Sequence, residues 1–131
     1  MKRLNSGHDG LASYGWVITC IAYCGLLLGI CAFAYLGILP TQLAQIPFYD
    51  TIGHFVLLGL ASYFIHQALN HRRVRLFSLS LPLGPLLVGL FATSDETIQA
   101  LSPQRTFSLT DLAASLLGIL CFYWLAKRSA R

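Results

Sequence analysis

Between Tyr14 and Leu39 the chain carries no charged side chain, and the run ends only at Pro40. A helix needs about 20 mostly apolar residues to cross the hydrocarbon core of a bilayer. This stretch is long enough, and three more apolar runs follow, at about Thr51 to Leu69, Leu76 to Thr93 and Leu109 to Ala126. The opening Met-Lys-Arg and the Ala32-Phe33-Ala34 triplet imitate a signal peptide and its cleavage site. The run is too long for a signal core, however, and nothing polar follows that needs export, so it is read as an uncleaved span. The expectation is an all-α membrane protein, residues 1–131 forming one domain of four transmembrane helices. Composition agrees: 56% of residues are hydrophobic and 11% charged, against roughly 25% charged in a soluble domain.

The basic residues set the orientation. Lys2 and Arg3 precede the first span, Arg72, Arg73 and Arg75 join the second to the third, and Lys127, Arg128 and Arg131 follow the fourth. Both termini are therefore expected in the cytoplasm, with Arg105 the one basic residue outside. The net charge of +4 does not imply nucleic-acid binding, because these residues occupy the gaps between apolar runs rather than one soluble face. Cys20, Cys24, Cys31 and Cys121 all lie inside apolar runs and read as small buried hydrophobes. No cofactor and no metal site are expected. In the third run Pro82 and Pro85 should kink a helix, and Gly84 and Gly89 permit close helix approach.

Acidic residues distribute the other way. Asp50, Asp95, Glu96 and Asp111 all fall on the outer side, and only Asp9 lies inside. Asp50 reads as the N-cap of the second helix, with His54 one turn on along the same face. Asp95 and Gln99 share a face if the third helix runs past the membrane edge, and Glu96 reaches Gln99 at i, i+3. Two carboxylates at the end of a helix oppose its dipole and need a compensating charge. Ser102-Pro103 marks a turn, and Ser108-x-x-Asp111 has capping-box spacing at the start of the fourth helix. Arg105 lies between the two acidic groups and can hold a carboxylate or phosphate two-pronged. Charged groups kept at membrane helix ends point to a functional site. The candidate binding residues are Asp50, His54, Asp95, Glu96, Gln99, Arg105 and Asp111.

These residues resemble a known family. "YDTIGHFVLLGL" is similar to the D-K-x-x-H-F segment of VanZ-like membrane proteins, and "SDETIQALSPQRTFSLTDLAASLLG" to their second polar segment. The match falls on Asp50, His54, Asp95, Glu96, Gln99, Pro103, Arg105, Asp111 and Gly118. Thr51 stands where the family usually has Lys, and Ser115 where it usually has Asn. The resemblance implies a multi-pass protein of the bacterial cytoplasmic membrane. The family is named for an accessory protein of glycopeptide resistance, notably towards teicoplanin, and that link is carried only by the resemblance.

Three functions compete. An integral-membrane accessory protein would recognise an anionic lipid or cell-wall precursor headgroup, with Arg105 on phosphate. A structural subunit would associate with other membrane proteins and use the cluster as a clasp. A membrane-surface enzyme would use His54 and a carboxylate as acid and base, with a divalent cation on Asp95, Glu96 and Asp111.

Overall fold

A computed structural model describes residues 6–103 and 105–130, with side chains from residue 13 onward. Lys2, Arg3, Arg131 and the side chain of Asp9 lie outside that description. The chain is mostly helical: α1 (Ser6–Tyr35), α2 (Tyr49–Ala68), α3 (Leu83–Gln99) and α4 (Leu109–Ser129). A short 3-10 turn, Thr41–Gln45, links α1 to α2, and two strands, β1 (Arg73–Leu76) and β2 (Leu79–Pro82), link α2 to α3.

The helices run alternately up and down, so α2 and α4 lie parallel and in close contact. Small residues make that possible. A side chain on Gly118 would overlap the Phe55 carbonyl, and one on Gly59 would overlap the Phe122 ring. Ser62 adds a hydrogen bond to the Ile119 carbonyl at 3.4 Å. Leu58, Ala61, Val88, Ala92 and Ile119 fill the space between α2, α3 and α4, and Leu27 reaches in from α1. Otherwise α1 leans on α2 through Tyr23, whose hydroxyl donates to the Leu57 carbonyl at 2.7 Å.

The expectation of four spans is corrected in part. Two helices are long and apolar enough to cross a membrane on length and composition, Ser13–Tyr35 and Leu109–Ser129. The second run forms a helix of 20 residues, but Asp50, His54, His66 and Gln67 dilute its hydropathy. The third run does not begin as a helix at all. Arg73–Leu76 pairs antiparallel with Leu79–Pro82, leaving 17 residues for α3. The expected proline kink is absent for the same reason. Pro82 is the N-cap of α3 and Pro85 lies in its first turn, where a missing N–H costs nothing. Of the two glycines proposed for close approach, Gly84 lies against the backbone of His66, while Gly89 faces open space.

Candidate functional site

One end of the bundle gathers the C-terminal ends of α1 and α3 and the N-terminal ends of α2 and α4. The chain enters α2 through Phe48, whose φ of 55° is left-handed. This cap carries no side-chain hydrogen bond, so Asp50 is not the expected N-cap. It sits in the first turn, where the helix dipole favours a carboxylate, and its side chain is 44% exposed. His54, one turn on, places Nε2 3.7 Å from Asp50 Oδ1.

Ser115 orients that imidazole. Its hydroxyl donates to the Asp111 carbonyl at 2.9 Å and lies 3.2 Å from His54 Nδ1. A hydroxyl has one proton to give, so Nδ1 carries the hydrogen and donates to Ser115. Nε2 is left facing Asp50 and Arg105.

The adjacent acids of α3 go separate ways. Asp95 accepts from the Tyr35 hydroxyl at 2.7 Å and from Gln99 Nε2 at 2.7 Å. Gln99, 1% exposed, uses its Oε1 to accept from Arg105 Nη2 at 3.0 Å. Glu96, also 1% exposed, turns to the start of α4 and accepts from the Ser108 N–H at 2.7 Å.

That contact completes a cap. Ser108 is the N-cap of α4, and its Oγ accepts from the Asp111 N–H at 3.3 Å. In a capping box the acid three residues on returns a bond to the cap's own N–H. Here Glu96 supplies the return bond from another helix. The Asp111 carboxylate is left to accept from the Thr51 hydroxyl at 2.5 Å, which ties α4 to α2.

Arg105 joins the two sets. Among the described residues its contacts run through Nη2, which lies 3.6 Å from Asp50 Oδ1 and 3.4 Å from His54 Nε2 besides donating to Gln99. The cation set that the enzyme alternative would use, Asp95, Glu96 and Asp111, is not assembled, because Tyr35 and Gln99 hold Asp95 while Ser108 holds Glu96. The groups that converge are Asp50, His54 and Asp111, whose ligand atoms lie within 4.8 Å of one another and could hold a metal ion.

Sequence reasoning missed Tyr35, and it met Thr51 and Ser115 only as departures from a family pattern. All three supply hydroxyls to this network. The available signal was position: Tyr35 closes an apolar run, and Ser115 lies one turn beyond Asp111.

A cavity of about 500 Å³ opens beside the cluster. Its walls are apolar, among them Leu27, Ile30, Leu43, Ile46, Val56 and Phe91, and one end is formed by Asp50, His54, Asp95 and Arg105. A polar recess of about 300 Å³ adjoins it, bounded by Tyr49, Asp50, Arg105 and Thr106. An apolar chamber with a few convergent polar groups is the usual form of a small-molecule site. Compared with known proteins, the chain matches no family model, no curated protein and no solved structure.

Proposed function

We propose that this chain is a VanZ-like, multi-pass membrane protein with both termini in the cytoplasm. In this reading it binds the headgroup of an envelope lipid or cell-wall precursor at its outer end. The observation that carries the proposal is the cavity: apolar along its length, polar at one end, with Arg105 at the junction. An amphiphile has that shape, a chain for the Leu27–Val56 side and a head for the Arg105 side.

Burial supports a lipid surrounding. Ser62, His66, Glu96, Gln99, Asp111 and Ser115 are buried, while Ile18, Leu26, Phe33, Leu90, Leu117 and Leu120 are exposed. Water would favour the reverse. The same pattern argues that α2 and α3 also cross. Ser62, His66, Glu96 and Gln99 turn into the protein, where intramembrane polar groups are tolerated, so average hydropathy undercounts these helices. A helix of 20 residues such as α2 is about 30 Å long, enough for the hydrocarbon core.

Native mass spectrometry of the protein released from membranes tests the binding. A co-purifying amphiphile is expected, and Arg105→Lys should lower its occupancy while the protein stays folded. Lys keeps the charge but not the planar two-pronged geometry. Unchanged occupancy in a folded Arg105→Ala protein would remove Arg105 from the site.

A second reading, a membrane-surface enzyme, is favoured by His54. Its Nδ1 is held by Ser115 and its Nε2 faces the cavity beside Asp50, as a general base requires. Saturable stabilisation by Mn²⁺ or Zn²⁺, abolished in His54→Gln, is the outcome that advances it. An unchanged melting temperature with either ion sets the metal-assisted form aside.

A further inference from the structure

The β1–β2 hairpin lies at the end of the bundle opposite the cluster. We infer that it is a membrane-surface anchor that seats its apolar tip among anionic lipid headgroups. The pairing register places Val74 opposite Leu81, Leu76 opposite Leu79, Arg73 opposite Pro82 and Arg75 opposite Ser80. Side chains alternate along a strand. One face of the ribbon is therefore Val74, Leu76, Leu79 and Leu81, and the other carries both arginines.

Val74 and Leu81 are partly covered, but Leu76 and Leu79 are exposed and Phe77 at the turn is 99% exposed. Phe77 also holds a left-handed φ of 55°, a conformation unfavourable for a bulky side chain. A two-stranded ribbon is marginal alone in water, and this one presents a Phe and two Leu outward.

Charge and position select the occupant. Arg73 is spent on the fold. Its Nε donates to Ser80 Oγ at 3.0 Å, and its Nη1 reaches the Tyr123 hydroxyl at 3.4 Å. Arg72, just before β1, and Arg75, on the opposite face of the ribbon, are exposed. The Tyr123 contact puts the base of the hairpin at the level of Trp124, over whose ring the Arg128 guanidinium lies at 3.7 Å. Trp and cationic residues collect at the membrane–water interface. The apolar tip thus begins at interfacial depth, and α4 itself exposes Leu117, Leu120 and Leu125. The inner leaflet is anionic and attracts basic segments within a Debye length. A lipid surface answers both the apolar tip and the two exposed arginines.

The inference rests on the membrane reading above, and the test separates the two. A fluorescent amino acid is introduced at position 77, or at position 120 on the exposed face of α4. The full chain is then reconstituted in vesicles of phosphatidylglycerol and chain-brominated phosphatidylcholine. Quenching by the brominated chains is expected at both positions. At 77 the quenched population should fall about fivefold for each arginine removed, in Arg72→Gln and Arg75→Gln, with no change at 120. Quenching at 120 with position 77 in water overturns the anchor and leaves the membrane reading standing. Absence of quenching at both positions overturns the membrane reading. A probe at 77 shielded from water yet not quenched means that protein, a second copy included, covers the tip, which also overturns the anchor.

Discussion

Asp95 and Glu96 are neighbours in the chain and do opposite kinds of work. Glu96 is fully buried and bound to the backbone of another helix. Asp95 lies at the cavity wall, held only by side chains. The same division separates Asp111, 7% exposed and tied to Thr51, from the half-exposed Asp50. Four carboxylates at one depth therefore form two sets, one that closes the fold and one that faces the cavity. Counting charges at a helix end does not distinguish them. Asking which backbone group each one satisfies does.

Substitutions can break that comparison. Glu96→Ala should have the largest effect on stability, about 2–4 kcal/mol in a detergent-unfolding titration. It orphans the Ser108 N–H and empties a buried position. Glu96→Gln keeps an acceptor and should recover at least half of that. An unchanged midpoint for Glu96→Ala would place Glu96 with the cavity set. Thr51→Val comes next. It is close in shape but leaves Asp111 without its hydroxyl donor, a loss of about 1.5 kcal/mol in the same titration.

Asp50→Asn should be the smallest, within about 0.5 kcal/mol, because Asp50 is half-exposed, its contacts to His54 and Arg105 are long at 3.7 and 3.6 Å, and Asn keeps an acceptor. Its signature is functional: altered amphiphile occupancy at unchanged stability. A large loss of stability in Asp50→Asn would erase the distinction from the other side.

Much of this end was legible in the sequence. Ser108-x-x-Asp111 announced the N-cap of α4 through local spacing, and that cap forms. The i, i+4 spacings of Asp50 with His54 and Asp95 with Gln99 put each pair on one face, as seen. What escaped notice is non-local or ambiguous. Glu96 caps a helix that starts 12 residues later, and no periodicity announces such a bond. Asp50 read as a cap because Asp is a common cap residue, yet the left-handed Phe48 takes that position. Leu76–Pro82 is an apolar run too short to distinguish strand from helix by pattern. The two-residue turn at Phe77–Ser78 lacks the Gly or Asn that usually marks a hairpin.

Under the proposed binding function, the attachment of α1 governs how the cavity would be reached. The α2–α4 pair cannot part without undoing the Gly59 and Gly118 contacts, whereas α1 is held by Leu27, by the rings of Trp16 and Tyr23 against Tyr63 and Phe64, and by two phenol hydrogen bonds, Tyr23 to Leu57 and Tyr35 to Asp95. Because α1 supplies Leu27, Ile30 and Ala34 to the cavity wall, the proposed binding function gives a guest a sideways route past that helix. Under that proposal, residence time depends on the contacts that hold α1 rather than on global stability. Tyr35→Phe should shorten it severalfold while the unfolding midpoint stays within about 1 kcal/mol of the parent.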